Sequence, residues 1–156
     1  MNKKGFTLVE LLAVIAILAI LVIIALPNVL EMYRSARKNT FTREVASVYD
    51  AAHTKYFLNA FGGTTSEKVY SNLTCTGCEK LDLQGGNEAF QYCIVVTTSG
   101  EVKKFDVVNG AYKYTWPATG GANIKDVKEI SSSNVDDNFT KAMTNCTSSG
   151  ATFPTN

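Results

Sequence analysis

The segment from Lys3 to Pro27 constrains this chain more than any other. KKGFTLVE, residues 3–10, runs into sixteen uninterrupted apolar residues, Leu11 to Leu26. A helix over that stretch matches the ~20 residues needed to cross a bilayer core. From Leu8 to Leu26 the only polar side chain is Glu10. An ionised carboxylate at a membrane helix centre is disfavoured by about 2.5 to 3.5 kcal/mol on insertion scales, and by less near an end, so Glu10 asks for a partner. Lys3 and Lys4 mark the side that stays cytoplasmic. An ordinary secretory signal has an apolar core of about 7 to 15 residues and a small-residue cleavage site after it. Here the run is longer, opens on an acid and continues into a helical pattern.

KKGFTLVE, the following apolar helix and Pro27 together resemble the N-terminus of type IV prepilins and related pilin-like proteins. The resemblance covers about the first 30 residues and is specific, because charge, glycine, aromatic, acid and apolar run must coincide. It implies cleavage after Gly5 by a membrane-embedded prepilin peptidase and methylation of the new N-terminal amine on Phe6. It also implies that Thr7, next to Phe6, and Pro27 serve assembly together with Glu10, which pairs with the N-terminus of an adjacent subunit. A freed α-amine has a reference pKa near ~8 and is largely cationic at neutral pH. Glu10 lies four residues after Phe6, so spacing alone also permits a pair within one chain. A purely local role would have Glu10 offset the positive end of the helix dipole. A plain uncleaved anchor would explain the length of the run but treat Gly5, Phe6 and Glu10 as coincidence.

The 156 residues suit one domain plus an anchor. Fifteen basic residues against 14 acidic give +1, and removal of Met1 to Gly5 takes two lysines, leaving 13 against 14, or −1. That balance supplies no strong electrostatic pull on nucleic acid, which is not an expected partner. The near-zero mean hydropathy averages an apolar end with a polar remainder.

After Pro27 the pattern becomes amphipathic. Leu30, Tyr33, Phe41, Val45, Val48, Ala52 and Tyr56 follow steps of mostly three or four, and charged residues take other positions. A helix from Phe6 to Phe61 would extend about 84 Å at 1.5 Å per residue, and its apolar half needs other chains to bury it. Pro27 lacks an amide hydrogen and is expected to bend or weaken the helix; the resemblance implies that this region loses helical order on filament assembly. Gly62 and Gly63 stop the helix.

An irregular connection carrying Cys75 and Cys78 is expected to about Phe90; the resemblance makes it a surface for subunit contacts or display. Runs at 91–98, 101–108 and 111–116 are rich in β-branched and aromatic residues and are separated by Ser99-Gly100 and Asn109-Gly110. They predict three antiparallel strands, the second pair joined by a type I′ turn centred on Asn-Gly. One sheet face would pack on the amphipathic half of the helix. Beyond Trp116 and Pro117 the chain reads as loop, with short helical turns near 124–130 and 135–143.

The expected organisation is α+β: leader 1–5, membrane and assembly half of the helix 6–28, amphipathic half 29–61, connecting loop 62–90, a small antiparallel sheet 91–116, and a C-terminal loop region 117–156. Cys75, Cys78, Cys93 and Cys146 lie beyond the membrane segment and read as disulfides. Three pairings are open. A bond from Cys93 to Cys146 would tie the tail to the sheet and leave Cys75–Cys78 as a local ring.

No cofactor is expected. Zinc would need four ligands with one or two close pairs, and the sequence has one pair and two isolated cysteines. A thioredoxin-like motif lacks its βαβ surroundings. Asn134, Asp136, Asp137 and Asn138 offer oxygens for calcium without a fixed loop spacing, and such residues more often cap helices. The single histidine, His53, falls within the helix. No nucleophile, base and orienting acid stand together, and the Gly-Gly pairs lack the lysine and hydroxyl of a phosphate loop, so no enzyme is expected. Lys103, Lys104 and Lys113 read as a solvated face rather than a nucleic-acid groove.

The sequence reading is therefore a structural subunit of a type IV pilus or related filament. Such a subunit is held in the cytoplasmic membrane before assembly and at the cell surface afterwards, with copies of itself and the pilus assembly machinery as partners. A pseudopilin or minor pilin of a secretion or competence system is the near alternative. An anchored extracellular binding module that never polymerises is the distant one.

Overall fold

The computed structural model describes residues 6–63, 66–83, 90–117, 124, 130–137 and 139–155. Two compact units divide the chain, Met1–Arg37 and Lys38–Asn156. Residues 1–5, the expected leader with Gly5, lie outside the described residues.

One helix, α1 (Leu8–Phe61), contributes to both units. In the first unit it is bare: every large apolar side chain from Leu8 to Leu30 is at least 48% exposed. Helix runs through Pro27 without interruption, although proline cannot donate to the Ile23 carbonyl one turn back. One lost bond is tolerated because the turns on either side keep the rest of the ladder within a 54-residue helix.

In the second unit, Phe41, Val45, Val48, Tyr49, Ala52 and Tyr56 form the buried stripe of α1. Their spacing places them on one face, and burial of each large apolar side chain contributes about 1.5 to 3 kcal/mol. The helix closes where the Gly62 and Gly63 amides donate to Asn59 and Ala60 carbonyls at 3.1 and 3.0 Å. Gly63 has φ of 92°, the left-handed conformation that glycine adopts without steric penalty.

Among the described residues eight strands follow: β1 (Lys68–Ser71), β2 (Cys78–Glu79), β3 (Gln91–Val96), β4 (Val102–Val108), β5 (Tyr112–Trp116), β6 (Val135–Asp137), β7 (Asn145–Thr147) and β8 (Gly150–Thr152). The first six form one sheet in the order β2-β1-β3-β4-β5-β6, antiparallel except for the β1–β2 pair; β7 and β8 form a separate hairpin. The arrangement is α+β and pilin-like: a long N-terminal apolar helix followed by a small, mostly antiparallel sheet.

Strand alternation sorts the sheet into two faces. Tyr70, Tyr92, Ile94, Phe105, Val107 and Tyr114 join the α1 stripe in the main core. Cys93 and Val108 face the other way and pack with Met143 and Cys146 under the β7–β8 hairpin. The sheet is thus covered on both sides within this unit.

The three expected strands are present, and the sheet is larger than that expectation. β1 and β2 lie inside the connection expected to be irregular. β1 has only Val69 and Tyr70 as apolar signal, too short a pattern to read, and it forms because β3 offers it an edge through Val69↔Val95 and Tyr70↔Ile94. β6 replaces the start of the helical turn expected over 135–143, and a 3-10 turn at Ser132–Asn134 leads into it. Asn and Asp there suggested helix caps, but the open edge of β5 pairs with Val135–Asp137 instead. The turn expected over 124–130 falls mostly outside the described residues; Ile124 itself bridges Val102 through two backbone bonds, at 3.1 and 2.9 Å.

The β4–β5 turn also differs. Asn109 donates to the Tyr112 carbonyl at 3.2 Å, and its side-chain oxygen accepts from the Ala111 and Tyr112 amides at 3.1 and 2.9 Å. Gly110, with φ of 81°, and Ala111 are the central residues, so Asn109 is one position earlier than a type I′ turn requires.

Candidate assembly site

The N-terminal turn of α1 is built from Thr7 and Glu10. Helix starts at Leu8, and the Leu11 amide donates to the Thr7 carbonyl at 3.3 Å, which makes Thr7 the capping residue. The Thr7 hydroxyl accepts from the Glu10 amide at 3.3 Å, and the Thr7 amide donates to Glu10 Oε2 at 2.9 Å. This is the reciprocal capping box, in which side chain and backbone of both residues satisfy one another. The Thr7 hydroxyl also donates to Glu10 Oε2 at 2.7 Å. Both bonds to the carboxylate use the same oxygen.

Phe6 precedes this cap and is 82% exposed. A carboxylate is thereby fixed one helical turn from the residue whose amine cleavage after Gly5 would free, at the start of an apolar and uncovered segment. The sequence reading placed Thr7 beside Phe6 as an assembly residue and gave it no capping role. Its capping role was readable, because Thr-x-x-Glu ahead of an apolar run is a helix-start signature.

Elsewhere, the remaining candidates are dispersed. His53 stacks with Tyr49 at 5.5 Å between ring centroids and meets Phe57 edge-on at 4.6 Å. Lys103 stands at the β3–β4 irregularity and pairs with Glu67 at 3.2 Å. Lys113 lies with its Nζ over the Phe153 and Phe139 rings, 3.9 and 4.9 Å from their centroids. Asp136 and Asp137 alternate along β6 and so face opposite sides of the sheet; Asp137 pairs with Lys38 at 3.1 Å. Asn134 ends the 3-10 turn, and Asn138 lies outside the described residues.

The cysteines form two disulfides, Cys75–Cys78 and Cys93–Cys146, each with Cα atoms 5.6 Å apart. The sulfurs of Cys75, Cys78 and Cys146 lie within 4.8 Å of one another. Bonded in this way they are not thiolates, the form that ligates metal.

Asp106 is a residue the sequence reading missed. It is buried on β4 opposite Cys93, and its Oδ2 accepts from the Ala151 amide of β8 at 3.3 Å. Burial pushes its carboxyl above the ordinary aspartate range, against the pull of the Thr115 side chain, the Ala151 amide, Lys113 and Lys104. A single acid within VKKFDVV is the only sequence signal.

Residues 1–26 match the family model described as the prokaryotic N-terminal methylation motif, the class III prepilin signal of type IV pilin-like proteins. No curated protein and no solved structure matches the chain. The motif supports a type IV pilin-like or pseudopilin protein and suggests a structural role. It implies processing by a prepilin peptidase and handling by pilus assembly machinery. Of the described helices, α1 is long and apolar enough to cross a membrane, which together with the motif fits anchoring before assembly.

Proposed function

We propose that this chain is the structural subunit of a type IV pilus or related filament. The precursor is held in the cytoplasmic membrane by residues 6–28, with Lys3 and Lys4 on the cytoplasmic side. Hydrolysis of the Gly5–Phe6 peptide bond releases a five-residue leader and leaves an ammonium on Phe6, which is then methylated and stays basic. In the filament, Glu10 of one copy receives the Phe6 amine of another. The Thr7 capping box holds Glu10 through Oε2, and Oε1 is the oxygen that would receive the cation.

The observation that carries this reading is the placement of Glu10. It stands at the head of a segment in which every large apolar residue is exposed, one turn from Phe6, inside the methylation motif. Apolar surface on that scale is favourable in lipid or against other copies of the same helix, and unfavourable in water. A carboxylate within it is stabilised when a cation neutralises it there.

Electron microscopy of fibres sheared from the cell surface, with their protein identified by mass spectrometry, tests the proposal. The expected result is a thin fibre containing this chain. Fibres that lack it, with the chain confined to the membrane fraction, would count against a filament subunit and favour an anchored module.

A further inference from the structure

The two disulfides are neighbours in space, and the sheet register explains why. On β1, Ser71 pairs with Cys93 of β3, and Val69 pairs with Cys78 of β2. Residues two apart on a strand share a face, so Cys78 and Cys93 both project to the side of the sheet away from α1. Cys146, on β7, covers that side. The Cys78 sulfur lies 3.7 Å from the Cys146 carbonyl oxygen, and the sulfurs of Cys75, Cys78 and Cys146 are all within 4.8 Å of one another. Reacting atoms in a near-attack arrangement are about 3 to 3.5 Å apart, so a side-chain movement of about 1 to 2 Å would bring Cys78 onto Cys146.

Access differs sharply between the two bonds. Cys93 is 0% and Cys146 2% exposed, whereas Cys75 and Cys78 are half-buried in a short Cys-Thr-Gly-Cys turn. Exchange depends on which sulfur a thiolate can reach. A reductant therefore meets the Cys75–Cys78 bond first, and the bond that staples the C-terminal hairpin is reached from inside.

We infer that the four cysteines form one thiol–disulfide exchange site, in which the more accessible Cys75–Cys78 pair relays reduction to the buried Cys93–Cys146 bond. The co-reactant is a dithiol. Its thiolate attacks the Cys75 sulfur, a mixed disulfide forms, and Cys78 leaves as a thiolate with the bonding electron pair. Cys78 then attacks the Cys146 sulfur; the Cys78–Cys146 bond forms, the Cys93–Cys146 bond breaks, and the Cys93 thiolate takes a proton from water. The second thiol of the reductant closes on its own mixed-disulfide sulfur and releases Cys75. Overall the dithiol is oxidised to a cyclic disulfide by two electrons, and the protein gains them as free thiols on Cys75 and Cys93. The staple on the hairpin moves from β3 to β2, so the tail stays tethered while the β3 anchor is released. This inference does not depend on filament assembly.

The test uses the full chain in detergent micelles, without denaturant, exposed to limiting dithiothreitol. The reaction is quenched in acid, free thiols are alkylated, and peptides are mapped without reduction. The expected intermediate carries a Cys78–Cys146 bond with Cys75 and Cys93 alkylated. In the Cys75→Ser/Cys78→Ser double variant, which keeps the buried staple, loss of the Cys93–Cys146 bond is expected to slow by about tenfold or more, since no internal thiolate can reach it. Alkylation of Cys75 and Cys78 with Cys93–Cys146 left intact would overturn the relay. So would equal rates of Cys93–Cys146 reduction in the double variant and the wild type.

Discussion

The amide and the hydroxyl of Thr7 converge on a single oxygen of Glu10, at 2.9 and 2.7 Å. Glu10 therefore has a local task, closing the first turn of α1, as well as a charge that the surrounding apolar segment leaves uncompensated. The two can be separated. Glu10→Gln keeps an acceptor for the Thr7 amide and loses the charge; Glu10→Ala loses both, while the Thr7 hydroxyl can still accept from the residue-10 amide. Both variants should be cleaved and neither should give normal fibre yields. Fibre yield by shearing and immunoblot checks this: normal assembly of Glu10→Gln would assign the residue to capping alone.

The two disulfides should stabilise the fold unequally. They link residues 53 and 3 positions apart. On loop-closure entropy the longer loop is worth about 4 kcal/mol and the shorter about 2. Urea unfolding of the full chain in detergent, followed through the single, half-buried Trp116, should show Cys93→Ser/Cys146→Ser as much the weaker of the two double variants. Equal midpoints would contradict the assignment of the Cys93–Cys146 bond as the main staple.

Asp106 should make stability fall as pH rises. Burial holds its folded-state pKa above the unfolded value of 3.8. Its contribution is thus fully present below that value and is lost as pH passes through the raised folded value. Asp106→Asn keeps an acceptor for the Ala151 amide and cannot ionise. The melting temperature of the variant minus that of wild type is expected to grow from acidic to neutral pH. A difference that shrinks over that range would mean that Thr115, the Ala151 amide, Lys113 and Lys104 together stabilise the ionised form more than burial penalises it.

Two phenylalanines on α1 make a paired test of the helix–sheet core. Phe41 is 1% exposed and stacks on Tyr112 with ring centroids 5.7 Å apart; Phe61, at the end of α1, is 88% exposed. Phe41→Ala is expected to cost about 3 to 5 kcal/mol, and Phe61→Ala no more than about 0.5 kcal/mol. Thermal unfolding by circular dichroism measures both. Comparable losses would place the packed face of α1 elsewhere.

Legibility followed the length and purity of the patterns. The long apolar run and the amphipathic steps from Phe41 to Tyr56 are strong periodic signals, and both lie in α1. Strands β3, β4 and β5 were readable because each is at least five residues long and most of its residues are β-branched or aromatic. β1, β2 and β6 have four, two and three residues, and their existence depends on edges supplied by distant chain. No local window carries that information. The same limit hid Asp106, whose burial comes from a hairpin some 40 positions later, with Ala151 above it. It also hid the proximity of the two disulfides, which follows from the β1–β2 and β1–β3 registers. At the N-terminus, by contrast, Thr7 and Glu10 are three residues apart, and the capping box could be read directly.

Mass spectrometry of the N-terminal peptide from the membrane-bound and surface forms tests the central claim most directly. A filament subunit processed at this motif should begin at Phe6, lack Met1 to Gly5, and carry one added methyl group on its α-amine. A chain that retains Met1 in both forms would contradict the account, because Glu10 would then have no freed amine to receive.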